Sequence, residues 1–305
     1  MSFKNSFKLL TTNFSIVWKQ LLYLIIISLF SFGIAYCIFL PALDILKSEG
    51  VISQFTNIFE TIYTAPNEII NACKEAFLNL IEVIKSNFSI IGANVIFSLF
   101  FAKIIFDILK YMSYYNVTSV MYMKLTSNLD VGYTRNYISN IWASFRYALS
   151  RLVLTIPFDL IIASCLILFL KYINGTLTII FGLFILIAIF IIITSIKISL
   201  FTPFAIGMIE KQYAPFKAFM FGNKKITKSF TRIFSNAIVS VMTLIVANLL
   251  LGVFTVGAGL LITIPTTIVF ICILNLTSYL GANGERYYLT DIIIVNFSNN
   301  DKEIK

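Results

Sequence analysis

Long apolar runs alternate with short polar, basic segments along the whole chain. Six runs stand out, at about Val17–Pro41, Phe88–Leu109, Leu152–Leu170, Leu177–Ile198, Ile233–Gly252 and Leu260–Leu280. Each approaches or exceeds the ~20 residues an α-helix needs to cross ~30 Å of hydrocarbon. An isolated span must satisfy its own backbone hydrogen bonds in lipid, so all six are expected to be helices. The fold class predicted is all-α: a polytopic membrane protein with six transmembrane helices, plus interfacial and extracytoplasmic amphipathic helices.

Between the first two runs lies the one large polar loop, about 44–87. Val51, Ile52, Phe55, Ile58, Phe59 and Ile62 form one helical stripe in it. Ile69, Ile70, Cys73, Phe77, Leu80, Ile81 and Ile84 form a second. Ala65-Pro66-Asn67 separates them, with Asn67 as the expected N-cap. The second helix is expected to run unbroken into span two. The turns Tyr172–Thr176 and Val253–Gly259 are short, which makes antiparallel hairpins of spans three with four and five with six. Each odd span follows an aromatic, basic, amphipathic stretch: Phe3–Trp18, Tyr137–Arg151 and Phe216–Phe234. The unit read from this is an elbow helix, an up-helix and a down-helix, used three times. Residues 1–283 are thus read as one six-helix membrane domain, with 210–232 as its basic elbow and 284–305 as a tail.

Charge gives this pattern a direction. Only Lys47, Lys74, Lys85 and Lys171 of the 23 Lys and Arg residues fall on one side of the six-crossing reading. The positive-inside rule then predicts both termini in the cytoplasm and the 44–87 loop outside. Leu21–Leu40 is long enough to span and shows no A-x-A site, so the first helix is expected to stay uncleaved. The chain is 59% hydrophobic and 12% charged, against about 25% charged in soluble domains. Its net charge of +9 sits beside apolar spans, which points to the anionic inner leaflet as partner and away from nucleic acid. Heavy use of Ile, Lys and Asn suggests a bacterial cytoplasmic membrane.

The chemistry is sparse. With no His, the commonest general base, the Ser-His and Cys-His pairs and the usual zinc ligand are missing. Cys37, Cys73, Cys165 and Cys272 show no CxxC spacing and read as small apolar fillers, so neither metal nor cofactor is expected. The outer carboxylates are spread along helices and suggest no catalytic pair. The candidate intramembrane polar cluster is Lys103, Asp107, Asp159 and Lys197. Asp159 lies eight residues, or about 12 Å, inward of Arg151, and Lys103 is its first-choice partner. Pro157, Pro203 and Pro265 can kink spans, and Asn248 and Asn275 are expected to bond to each other. Lys217, Lys224, Lys225, Lys228 and Arg232, interleaved with Phe, are the candidate lipid-headgroup contacts.

The inner elbow reads Phe201-Thr202-Pro203-Phe204-Ala205-Ile206, Glu210-Lys211, Pro215-Phe216-Lys217-Ala218-Phe219 and Phe230-Thr231-Arg232-Ile233-Phe234. This resembles bacterial multi-pass proteins of the type of the membrane domain fused to some glycerophosphodiester phosphodiesterases. The resemblance covers part of the chain and implies an architecture, with no phosphodiesterase domain to carry that activity. The function expected is a non-enzymatic envelope or lipid-interacting component. The alternative is a small-solute or ion transporter that uses Asp159 and Lys103.

Overall fold

The structure is a computed structural model. It describes residues 2–171, 176–290 and 293–295, and the side chains of these except at 2, 66, 170, 176–180 and 221–229. Helices fill nearly all of it: α1 (Ser2–Thr12), α2 (Phe14–Ser48), α3 (Val51–Thr64), α4 (Ile69–Ser86), α5 (Phe88–Ser127), α6 (Tyr133–Ser139), α7 (Ile141–Lys171), α8 (Thr176–Lys211), α9 (Pro215–Phe254) and α10 (Leu260–Ala282). A short antiparallel pair, β1 (Tyr287–Tyr288) and β2 (Ile294–Val295), follows. Helices α2, α5, α7, α8, α9 and α10 are long and apolar enough to cross a membrane. The chain is an all-α, multi-pass integral membrane protein.

Asparagine sets three of the helix boundaries. Asn13, Asn87 and Asn140 each stand between two helices, and each turns its side-chain Nδ2 onto the carbonyl four residues back, at 2.8, 3.4 and 3.1 Å. A short amide that binds the backbone locally competes with helix propagation. The break at Asn87 corrects the expectation that the second loop helix runs unbroken into span two. Asn67 is likewise no N-cap: Pro66–Glu68 forms a 3-10 turn, and Glu68 occupies the cap of α4. Of the three expected elbows, the first two are separate helices or begin in one, α1 and α6. The third is continuous with its span, because α9 runs 40 residues from Pro215 without interruption.

The chain forms two compact units, residues 26–106 and residues 1–25 with 107–305. In the smaller, α3 packs on α4. The Phe55 and Phe77 rings meet edge to face at 5.5 Å, and Asn79 donates to Gln54 at 2.9 Å. Ala42, Val51, Val83 and Ile91 form its core. Ser98 on α5 donates to the Ala35 carbonyl on α2 at 2.8 Å.

In the larger unit α10 is central. Half of its most apolar window is buried, against 6% for α7. Helix α1 packs on it through Ser6 and Thr277, whose hydroxyls lie 2.9 Å apart, and through Phe3 and Phe270, edge to face at 5.1 Å. Asn5 donates to the hydroxyl of Tyr287 at 3.0 Å, so residues just past α10 also dock on α1. Burial raises the pKa of the Tyr287 phenol above its ordinary value.

Helices α9 and α10 form the expected hairpin, and three contacts fix its register. Arg232 donates to the Gly281 carbonyl at 3.2 Å, Asn236 to Ser278 at 3.0 Å, and Asn248 to Thr267 at 3.0 Å. This corrects the expected Asn248–Asn275 bond. In that register Asn275 lies eight residues, about 12 Å, beyond the level of Asn248. Pro157, Pro203 and Pro265 all sit within unbroken helices. Next to two of them, Thr155 and Thr202 donate to the carbonyls of Leu152 and Ile198, both at 2.8 Å.

Candidate functional site

The end of the larger unit that carries α1 and α6 gathers most of its polar chemistry. Beneath the surface lies a network without a carboxylate. The Gln20 Oε1 accepts from Ser113 at 2.6 Å and from the Tyr133 hydroxyl at 2.9 Å. Asn116 donates to the Tyr133 carbonyl at 3.2 Å, and Asn136 donates to Asn116 Oδ1 at 2.7 Å. Asn140 donates to Asn136 Oδ1 at 3.0 Å. These bonds tie the start of α2, the second half of α5, α6 and the Asn140 link before α7 into one piece. Burial raises the Tyr133 pKa, which keeps this phenol a neutral donor. The hydroxyls of Tyr23 and Tyr137 also bond to each other, alongside the network.

Arg151 is the residue that sequence reasoning misses. From the pattern of charges it is only the basic edge of span three. The structure buries it among aromatic rings, with its guanidinium carbon 4.5 Å from the centroids of Tyr111 and Tyr114, 5.0 Å from Phe201 and 5.8 Å from Tyr147. Its Nη1 donates to the Tyr147 hydroxyl at 2.9 Å, while Nε has no partner. No carboxylate among the described residues pairs with it. Cation–π attraction is worth about 2 kcal/mol or more at a desolvated site, so the rings stand in for a counter-ion. The signal was in the sequence: Tyr147 is one helical turn before Arg151, and Tyr111 and Tyr114 share a face of α5.

The intramembrane charges are arranged as follows. Lys197 on α8 meets Asp159 on α7 at 2.5 Å, with side-chain exposures of 17% and 37%. Lys197, a member of the expected cluster, reaches Asp159 because α7 and α8 are neighbours, while Lys103, the first-choice partner, belongs to the other compact unit. Asp107 lies 3.9 Å from Lys110, one turn along α5. Lys103 is one turn before Asp107 on the same helix, and the boundary between the two compact units passes between them.

The candidate headgroup residues divide. Lys217 is exposed and lies over the Tyr213 ring at 4.6 Å. Arg232 gives one donor to the last turn of α10, where the helix dipole favours a cation. The side chains of Lys224, Lys225 and Lys228 lie outside the described residues.

Two further surfaces carry the aromatic, basic character. Phe3, Phe7, Phe14 and Trp18 are all exposed, Phe3 and Phe7 one turn apart on α1 and Phe14 and Trp18 one turn apart at the start of α2. Lys4, Lys8 and Lys19 are exposed beside them. On α6 and α7, Ile138, Ile141 and Trp142 are exposed near Arg135 and Arg146. Both Trp residues of the chain therefore sit on these two surfaces, half or more exposed.

Among the described residues, no three His, Cys, Asp or Glu side chains converge as metal ligands, and the four Cys are free. No family model, curated protein or solved structure matches the chain.

Proposed function

We propose that this protein is a non-enzymatic, lipid-interacting component of a bacterial cytoplasmic membrane, with both termini inside. Its architecture is of the kind shared with the membrane domain it resembles. The observation that carries the reading is the exposed set Phe3, Phe7, Phe14 and Trp18 flanked by Lys4, Lys8 and Lys19. Rings of this kind seat in the headgroup region, and cations beside them meet anionic lipid at about 1 kcal/mol each. The buried side of α1, Ser6, Leu9 and Leu10, packs in the core, while Phe7 stays exposed and Phe3 also meets the Phe270 ring of α10 at its edge.

The two Trp residues supply the test. A W142F variant leaves Trp18 as the reporter in vesicles where either phosphatidylglycerol or phosphatidylcholine carries brominated chains. Brominated phosphatidylglycerol is expected to quench Trp18 preferentially. Reversing Lys4, Lys8 and Lys19 to Glu is expected to lower that preference about tenfold or more at low salt. Equal quenching by the two lipids in the W142F protein would refute the reading.

A second reading, passage of a small solute or ion, draws on the Asp159–Lys197 pair inside the spans. It expects D159N to abolish reconstituted flux of protons or monovalent cations, and unchanged flux would exclude this carboxylate. Apart from flux, the pair is expected to couple α7 to α8 by about 1–3 kcal/mol in a D159N/K197M double-mutant cycle of thermal stability.

A further inference from the structure

We propose that a cavity between α5, α7 and the end of α8 holds the phosphate of one anionic phospholipid, with an acyl chain lying along α7. The proposal rests on the lipid-contact reading above and narrows it to a single site. The cavity measures about 270 Å³, a little under the ~300–1,000 Å³ of pockets that enclose whole drug-sized molecules. That size suits a headgroup and excludes a whole lipid. Its wall is mainly polar, with Tyr115 and Ser119 from α5, Asn140 between α6 and α7, Arg146 in the first turns of α7, and Gln212 and Tyr213 just past α8.

Charge selects the ligand. Arg146 is the one charged side chain in this wall, and among the described residues it has no carboxylate partner. Glu210, close in sequence, is held by Lys211 at 2.5 Å. A guanidinium without an internal counter-ion, set among hydroxyl and amide groups, matches a phosphate's oxygens. Arg151 adds a second cation behind the wall. Its partner Tyr147 meets the wall residue Tyr115 at a tilt of 42°, ring centroids 5.2 Å apart. Two cations and no carboxylate give the cavity a positive potential.

The face of α7 that leads away from the cavity separates a lipid from a free phosphate. Trp142, Arg146, Leu149, Val153, Ile156 and Leu160 follow at spacings of four, three, four, three and four, and all are at least partly exposed. One helix face therefore presents an interfacial ring, then the cation, then four apolar side chains running into the span. This is the order of an anionic lipid from headgroup to tail. The neighbouring cavity lined by Leu9, Asn13 and Lys124 offers a cation without such a track, because Val117, Val120 and Met121 beside it on α5 are buried.

The test uses full-length protein carrying W18F, so that Trp142 reports beside Arg146. Brominated phosphatidylglycerol is expected to quench Trp142 in preference to brominated phosphatidylcholine. R146Q should lower that preference about five- to tenfold, R146K should restore part of it, and K124Q should leave it unchanged. Folding of each variant is checked by its thermal transition. Should R146Q not fold, native mass spectrometry of the wild-type protein in detergent is expected to retain one phosphatidylglycerol per chain, and retention of none overturns the proposal. An unchanged preference in a folded R146Q protein, or an equal loss in K124Q, also overturns it. Displacement of the lipid by millimolar inorganic phosphate would assign the cavity to free phosphate and overturn the lipid assignment. Trp18 in the W142F protein separates the two levels. Anionic preference there but not at Trp142 sinks the site alone, and equal quenching of Trp18 sinks the lipid reading whatever Trp142 shows.

Discussion

Asn136→Ala is expected to destabilise the protein by about 2–4 kcal/mol and to loosen α6 from the larger unit. Asn136 is 2% exposed. Its Nδ2 donates to Asn116 Oδ1 at 2.7 Å, and its Oδ1 accepts from Asn140 at 3.0 Å. Truncation strands Asn116 Oδ1 in a buried place, while Asn140, half-buried, keeps its bond to the Asn136 backbone carbonyl. An orphaned buried group costs about 1–3 kcal/mol, and the cavity left behind adds to that. The loss should be local first, because α6 is seven residues long and Asn136 is its polar tie to Asn116 of α5, beside Tyr133 in the apolar core. Limited proteolysis between Ser127 and Tyr133 should therefore speed up, alongside a lowered thermal midpoint in detergent. The N116A/N136A double variant should cost clearly less than the two single losses added together, since it removes donor and acceptor at once. An N136A protein within about 0.5 kcal/mol of wild type would show that the network is not needed to hold α6.

How far the sequence could be read depended on the range of the signal. Hydropathy located all six spans, because a run of apolar side chains with few charges has few alternatives in water or lipid. The stretch Phe3–Trp18 was legible as an aromatic, basic elbow, since helical spacing puts Phe3 with Phe7 and Phe14 with Trp18. Partner choice was not legible by inspection. Asp159 could be seen to need a cation, but choosing Lys197 requires knowing that α7 and α8 are neighbours at that depth. Asn248 was a nearer miss. Its distance from the 255–259 turn, mirrored along α10, leads to Thr267 and away from Asn275. The boundaries at Asn13, Asn87 and Asn140 were hidden by the helix-friendly residues around them, and only the amide's reach to the carbonyl four back ends each helix. Arg151 was hidden by its own charge. A cation at a span's edge is normally a topology marker, and its burial becomes visible only when four rings from α5, α7 and α8 converge on it.

Gly207→Leu is expected to be the most damaging single change in the α8–α9 elbow. Helix α8 packs more extensively on α9 than on any other helix, and the two are joined by only Gln212, Tyr213 and Ala214. Gln212 already turns through a left-handed conformation, φ 50°, and Pro215 starts α9 at once, so the connection has little slack to let the helices separate. A Cβ on Gly207 would lie 3.2 Å from the Ala218 carbonyl oxygen and 3.5 Å from its Cα. Those are backbone atoms of a fully buried residue, and they cannot swing aside as a side chain could. Alanine at 207 asks for a shift of a few tenths of an ångström, offset by the ~1 kcal/mol that Ala gains over Gly in a helix, so G207A should be close to neutral. Leucine needs room for three further carbons where none exists, and should cost more than about 3 kcal/mol, or about 6 °C in the thermal midpoint. Gly33 is the control. It sits inside α2, and a Cβ added there would meet nothing within 4 Å, so G33L should be neutral or stabilising by up to about 1 kcal/mol. If G207L melts within about 2 °C of wild type while G33L does the same, the close approach of Gly207 and Ala218 is not what holds the elbow, and the short turn alone must set it.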